Sequence, residues 1–169
     1  RSFRPDLPLL AETSGKNALV ITPSADLDLA AKDLAYSAFG HAGQKCSAAS
    51  IAILVGTVAD SERFNRQLLD AVEGLVVDHP TNPSANMGPI IEAPSEKLAH
   101  GLQTLDNNEH WVVKPQPLNP ERTLWSPGVR GNVEPGAPSH LKEYFGPVLG
   151  IMKAKNLEEA LEIQNAVDY

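Results

Sequence analysis

Short apolar runs alternate with segments of helical periodicity along this 169-residue chain, and this alternation most constrains its fold. The apolar runs suit strands that are buried on both faces, and they are residues 18–21, 51–55 and 148–151. The helical segments carry apolar residues at i, i+3 and i+4, and they are residues 23–38, 58–72, 94–105 and 156–166. We therefore predict an α/β fold of three layers, in which helices flank a mainly parallel sheet.

Local signals set the expected ends of these helices. Gly40 follows the first helical pattern and is predicted to end it in a left-handed conformation. Ser95 is predicted to cap the third helix, and Asn156 with Glu159 resembles a capping box at the start of the last one. Residues 115–138 are rich in Pro, Gly and Asn, which predicts a loop with short strands.

Composition narrows the classes of protein. The hydrophobic content of 42% is ordinary for a globular domain, and the formal charge of −7 argues against a nucleic-acid partner. No apolar stretch approaches the roughly 18 residues of a membrane span, and the N-terminus lacks the apolar core of a signal peptide. A single cysteine fits a reducing compartment, so we expect a cytoplasmic protein, and we predict no metal site.

Cys46 is the first residue that suggests chemistry. Small residues surround it between Gly40 and Ala49, so that a substrate and a cofactor could approach closely. Gly43 relaxes the backbone before it, and Lys45 adds a positive charge that would favour a thiolate. The alternative is a small buried hydrophobic residue, which is the usual role of a lone cysteine.

Glu12 is the second such residue. It lies at the end of an apolar run, where a glutamate is usually a solvated strand end. However, it also precedes Gly15 in a turn between two predicted strands, and strand-end loops commonly build the sites of α/β sheets. A carboxylate near a thiol could activate water against a thioester.

Three segments taken together resemble the aldehyde dehydrogenase superfamily. Residues 12–16 (ETSGK) resemble its glutamate signature, residues 43–46 (GQKC) its cysteine signature, and residues 143–148 (EYFGPV) its cofactor-side motif. The intervals between them are also similar to those of the family. Residues 39–48 (FGHAGQKCSA) resemble in particular the L-glutamate γ-semialdehyde dehydrogenases, also called 1-pyrroline-5-carboxylate dehydrogenases. Some of these are fused to proline dehydrogenase.

This resemblance implies a role for each site residue. Cys46 would attack a small aldehyde, and Glu12 would activate the water that hydrolyses the thioester. Glu143 would hold the ribose hydroxyls of the nicotinamide cofactor, and Phe145 would pack beside the nicotinamide. Ser47 would help to hold the α-carboxylate of the substrate. The alternatives are a surface carboxylate at position 143, a plain core residue at position 145 and a packing residue at position 47.

The resemblance also implies parts that the chain lacks. It contains no Gly-rich nucleotide-binding fingerprint and no oligomerisation arm, and it begins with Arg1 rather than Met. We therefore expect residues 1–169 to be a catalytic-domain fragment, inactive alone, of an NAD-dependent homo-oligomeric enzyme, with NADP left open. Ser14 departs from the Gly of much of the superfamily, and Lys16 is interpreted as structural.

Two other functions stay open. One is an aldehyde dehydrogenase for another carboxylated aldehyde, such as succinate semialdehyde. The other is a catalytically silent structural module, in which Cys46 would be an ordinary thiol. The rate of thiol labelling against pH separates this second alternative from an enzyme, because a thiolate reacts and a thiol does not.

Overall fold

A single five-stranded sheet organises the chain in a computed structural model that describes residues 4, 6–8 and 13–169. The strands are β1 (Asn17–Ile21), β2 (Ala49–Val55), β3 (His110–Val113), β4 (Gly128–Gly131) and β5 (Val148–Ala154). They lie in the order β1-β2-β5-β4-β3, and only β3 is antiparallel to its neighbour. The predicted mainly parallel sheet is confirmed.

Helices cover both faces of this sheet. They are α1 (Leu27–Phe39), α2 (Glu62–Glu73), α3 (Glu96–Gln103), α4 (Pro138–Leu141) and α5 (Leu157–Asn165). On one face, Ala52 and Leu54 of β2 belong to a core that includes residues of α1, α2 and α3. On the other face, Ile51 and Ile53 share a second core with residues of α5. Because alternate β2 residues enter opposite cores, the predicted three layers are confirmed.

The first helix differs from its prediction at both ends. It begins after Asp26, whose carboxylate accepts hydrogen bonds from the amides of Asp28 and Leu29, and not at residue 23. Gly40 has a φ of −53° and is not left-handed, and its N–H bonds to the Tyr36 carbonyl. The left-handed residues His41, Ala42 and Gly43 follow it, within a tight 3₁₀ turn (Gly40–Gly43).

The other predicted helix starts agree with the structure in two cases and differ in one. The second helix begins after Ser61 rather than at residue 58, because a 3₁₀ turn (Gly56–Asp60) precedes it. The Ser61 hydroxyl caps the helix by accepting a hydrogen bond from the Phe64 amide. Ser95 and Asn156 cap α3 and α5 as predicted. Strand β4 lies within the predicted loop region 115–138, whereas β3 was not predicted.

The three signature segments meet at one end of the sheet, where three of its strands begin. Residues 13–16, 44–48 and 142–147 lead into β1, β2 and β5, which are parallel neighbours. The segments therefore lie at the amino ends of these strands, whereas ligands of open α/β sheets commonly bind at the carboxyl ends. The candidate site therefore lies where the chain enters the sheet.

Candidate active site

The Cys46 segment is fixed through its backbone and leaves its side chain open. The Asn17 amide at the start of β1 donates to the carbonyl oxygens of Cys46, at 2.6 Å, and Ala48, at 3.2 Å. A turn from Lys45 to Ala48 closes the same segment. Cys46 itself is exposed, so the alternative of a buried packing residue does not describe it. An anchored backbone with an accessible thiol suits attack on an external electrophile.

Glu143 joins the β1 entry to the β5 entry. Its Oε1 accepts a hydrogen bond from the Gly15 amide at 3.0 Å, across 128 residues of sequence. The side chain is buried, so Glu143 is not a surface carboxylate. Gly15 also touches the Cys46 segment, because a Cβ atom at this position would lie 2.6 Å from the Cys46 carbonyl oxygen. All three signature segments are thus in contact around Gly15.

Phe145 has an unusual backbone for its residue type. It adopts a left-handed conformation with a φ of 55°, and its side chain is half-buried rather than part of the core. The Gln44 amide nitrogen donates to the Phe145 carbonyl at 3.2 Å. Left-handed non-glycine residues cost about 1–3 kcal/mol and concentrate at functional sites, which supports a role for this loop beyond packing.

A glycine pair allows the Cys46 and Phe145 segments to meet. Gly43 is left-handed, with a φ of 67°, and a Cβ atom there would lie 2.2 Å from the Gly146 carbonyl oxygen. On its other side, Gly146 packs against Leu98 of α3, where a Cβ atom would clash at 2.3 Å. Larger residues at these two positions would separate the cysteine-bearing loop from the loop of Glu143 and Phe145.

Lys16 lies buried beneath this contact. Its ammonium lies 5.8 Å from the centre of the Tyr144 ring, and only 7% of the residue is exposed. Burial, with a smaller contribution from the positive charge of Arg130, lowers the pKa of Lys16 to about 7, although Glu143 opposes the shift. Burial also raises the pKa of the Tyr144 phenol to about 12. The interpretation of Lys16 as structural agrees with this burial.

Two cavities open beside the site. One of about 370 Å³ lies between the Ile91 and Phe145 loops and is also lined by Thr13, Gln44 and Glu143. The other, of about 180 Å³, includes the exposed Ser47 among its lining residues, with hydroxyl groups, an imidazole and a lysine around it: Tyr36, Ser37, His41 and Lys45. The first cavity places Glu143 and Phe145 together, and the second contains Ser47 without either of them.

Glu12 lies outside the described residues, so its distance from Cys46 is not part of this geometry. Within the part of the chain that the structure describes, no three His, Cys, Asp or Glu side chains cluster as a metal site would require. Among the same residues, none of the helices is long and apolar enough to cross a bilayer.

Sequence reasoning missed two residues that build the site, Asn17 and Gln44. Gln44 lies inside the cysteine signature and Asn17 directly follows the glutamate signature, and their amides bond to carbonyl or amide groups of distant segments. An amide next to a signature residue was the only available signal. It could not identify partners that are, for Gln44, 47 and 101 residues away.

A sequence model of the aldehyde dehydrogenase family matches residues 6–169. The chain belongs to the aldehyde dehydrogenase family. A 1-pyrroline-5-carboxylate dehydrogenase of Geobacillus sp. (strain WCH70) is 35% identical over 162 residues, which cover 95% of this chain and 31% of the relative. The corresponding protein of Bacillus subtilis (strain 168) is 33% identical over the same length. This aldehyde dehydrogenase chain thus spans about a third of these curated relatives.

Solved structures agree with the family. Proline utilization A from Corynebacterium freiburgense superposes with a TM-score of 0.88 at 58% identity, covering 91% of this chain and 16% of that one. A Thermus 1-pyrroline-5-carboxylate dehydrogenase with bound NAD gives a TM-score of 0.80 at 35% identity, covering 94% and 30%. The predicted family and fold are therefore both confirmed for this aldehyde dehydrogenase domain.

Proposed function

We propose that the full-length protein containing this chain oxidises L-glutamate γ-semialdehyde to L-glutamate with NAD. The observation that carries the proposal is the meeting of three signature segments around Gly15, with the Cys46 thiol exposed beside them. The names of the relatives at about 35% identity support this substrate over succinate semialdehyde. Residues 1–169 are proposed as the cysteine-bearing catalytic domain of that protein, and the cytoplasm as its location.

One feature of the Glu143 carboxylate supports binding of a nicotinamide cofactor. Gly15 occupies only Oε1 of Glu143, and no described residue donates a hydrogen bond to the other carboxylate oxygen, which can accept one from a ribose hydroxyl. Glu143 and Phe145 line the same cavity of about 370 Å³. Glu143 would hold the ribose, and Phe145 would pack against the nicotinamide. When bound, NAD takes the hydride that turns a hemithioacetal into a thioester.

The chain's own residues supply the other steps. The Cys46 sulfur forms a bond to the aldehyde carbon, and the carbonyl oxygen becomes an oxyanion that the Cys46 backbone N–H can stabilise. After loss of the hydride, Glu12 takes a proton from water as the water oxygen attacks the thioester carbon. The carbon–sulfur bond then breaks, releasing the carboxylic acid and the thiolate. Ser47 is proposed to hold the α-carboxylate of the substrate during these steps.

Two variants of the full-length protein test the proposed roles by NADH absorbance. We expect Cys46→Ser to abolish NAD reduction, because an unactivated hydroxyl is a much poorer nucleophile than a thiolate. We expect Glu12→Gln to release a burst of about one NADH per site and then stall, because the thioester forms and is not hydrolysed. Glu158→Gln, an exposed carboxylate on α5, is the matched control.

The outcome also separates the alternatives. Faster turnover with succinate semialdehyde than with glutamate semialdehyde would make succinate semialdehyde the better-supported substrate. A folded full-length protein that reduces NAD with neither aldehyde, and whose Cys46 labels no faster than free cysteine at neutral pH, would support the silent module. The 169-residue chain assayed alone is expected to be inactive, and robust turnover by it would contradict the fragment proposal.

A fusion to proline dehydrogenase is the proposed arrangement of the full-length protein. The identity of 58% to the proline utilization A of Corynebacterium freiburgense exceeds the 35% to the curated 1-pyrroline-5-carboxylate dehydrogenases, and this difference favours the fused form. Proline-dependent reduction of an artificial electron acceptor by the purified full-length protein would test it. A full-length protein that oxidises the semialdehyde and not proline would contradict the fusion. Assembly as a homo-oligomer is a further proposal, which sedimentation of the same protein would test.

A further inference from the structure

Gln44 connects two loops that are otherwise distant in the chain. Its Oε1 accepts a hydrogen bond from the Ile91 amide at 2.8 Å, and its Nε2 donates to the Phe145 carbonyl at 3.2 Å. Both ends of one half-buried amide are therefore used, by partners 54 residues apart in the numbering. A glutamine in a solvated loop would not need two backbone partners, so this arrangement suggests a specific role.

Of the two residues that Gln44 binds, Phe145 has the strained backbone. A phenylalanine at a φ of 55° keeps its conformation only if its surroundings hold the peptide in place. The Gln44 amide binds the carbonyl of this residue, and the Gly43 to Gly146 contact supports the next peptide. Gln44 thus acts directly on the residue whose ring is proposed to pack beside the nicotinamide.

The Ile91 partner forms the opposite wall. Its side chain is 81% exposed, so packing contributes little to the position of this residue, and its amide is bound by Gln44. The cavity of about 370 Å³ lies between the Ile91 and Phe145 loops, and Gln44 is among its lining residues. One side chain therefore links both walls of the cavity.

We propose that Gln44 is a positioning residue that sets the spacing of the Ile91 and Phe145 loops and thereby the affinity for the nicotinamide–ribose end of a dinucleotide. This inference rests on the proposed function, because it assigns the cavity to the cofactor. Gln44 acts through the two loops and not on the reacting atoms. Its loss therefore weakens cofactor binding more than it slows the chemical steps at saturating NAD.

Two substitutions in the full-length protein separate the two ends of the amide. Gln44→Met has a similar length and makes neither hydrogen bond. Gln44→Glu keeps an acceptor for the Ile91 amide but places a carboxylate oxygen against the Phe145 carbonyl. Gln164→Met, at an exposed position on α5, is the matched control. The measurements are the Kd for NAD, kcat at saturating NAD, and hydrogen exchange of the Ile91 amide.

We expect Gln44→Met to raise the Kd for NAD roughly tenfold and to speed exchange of the Ile91 amide, since both bonds are lost. Gln44→Glu is expected to raise the Kd by a similar factor while the Ile91 amide remains protected. In both variants kcat falls less than the Kd rises. Gln164→Met should match the wild type in every measurement.

The proposal is overturned if both Gln44 variants bind NAD within about twofold of the wild type, or if kcat falls as much as affinity. Unchanged Ile91 exchange in Gln44→Met would overturn it as well. Failure of the proposed function looks different, because the wild-type protein itself would then not reduce NAD. In that case Ile91 exchange still reports whether Gln44 holds the loops together.

Discussion

Two polar regions of this domain are held together by different kinds of bond. At the Cys46 segment, neutral amides of Asn17 and Gln44 bind backbone groups, and the cysteine side chain stays exposed. In the Arg130 cluster, which we define as Arg130, Asp106 and Glu109, charged groups bind one another in the interior. The comparison shows that neutral amides position the Cys46 segment, whereas charge–charge bonds hold the Arg130 cluster, which forms a buried frame of the domain.

The Arg130 cluster explains how the frame is built. The guanidinium is fully buried and bonds to Glu109 at 2.6 Å and Asp106 at 3.3 Å. It also donates to carbonyl oxygens at the end of α3, those of His100, Gly101 and Thr104, and the His100 carbonyl accepts the Thr104 N–H as well. Its flat face lies 5.3 Å from the centre of the Tyr144 ring. The cluster therefore fixes α3 and the residue next to Glu143.

Removal of the buried arginine has the largest expected effect and tests whether buried charges stabilise the frame. We expect Arg130→Leu to lower the free energy of unfolding by about 3–5 kcal/mol, because Glu109 and the α3 carbonyls would stay buried without their partner. Urea denaturation of the full-length protein, followed at the Trp fluorescence, measures the loss. Arg63→Leu, which removes an exposed pair with Asp28, is the control and should cost far less. Equal losses would show that burial does not distinguish the two arginines.

The second prediction concerns Lys16, which lies between the two regions. Its folded pKa of about 7 is below the unfolded value of 10.5, so between these values the unfolded chain binds more protons. Stability should therefore rise with pH across this window, with a slope approaching about 1.4 kcal/mol per pH unit from this group. Lys16→Met should remove that part of the slope, as measured by urea denaturation from pH 7.5 to 9.5.

The measurements end at pH 9.5 because ionisation of Tyr144 also changes the stability at higher pH. The raised pKa of Tyr144 means that only the unfolded chain ionises its phenol above pH 10, which lowers stability there. Lys97→Met, at an exposed lysine of α3, is the control and should leave the slope unchanged. A Lys16→Met slope equal to that of the wild type would mean that the Lys16 ammonium is solvated in the folded protein.

The smallest expected effect is at Asn17, whose neutral amide holds the Cys46 segment. Asn17→Ala removes two hydrogen bonds to the Cys46 and Ala48 carbonyls, and we expect a loss of about 1–2 kcal/mol because the freed carbonyls lie near solvent. The same urea denaturation measures it, with Asn165→Ala at an exposed position as control. A loss as large as that of Arg130→Leu would contradict the division between a Cys46 segment held by neutral amides and a frame held by charges.

The sequence predicted the regular parts of this molecule and missed the polar contacts between them. Apolar runs identified β1, β2 and β5, because their side chains pack against the cores on both faces of the sheet. Strand β3 was missed because it is short, half-buried and at the sheet edge. Arg130 was missed as a frame residue because its partners come from a separate segment, residues 100–109, and a lone arginine in a strand does not identify them.

The candidate site divides in the same way. Its signature residues could be recognised because each segment is contiguous, and family membership followed from them. The role of Gly15 as the meeting point could not be predicted, because it depends on a bond to Glu143 and on a close approach to the Cys46 carbonyl.

Local sequence patterns were sufficient for the α/β layers, the family and the cysteine-bearing segment, because periodicity and contiguous motifs are local properties. Only the tertiary structure decided that the site lies at the amino ends of three parallel strands, that Gln44 joins two loops and that Lys16 is buried. The physical reason is that hydrogen-bond partners and burial depend on residues far apart in the chain. Those residues become neighbours only when the sheet has formed.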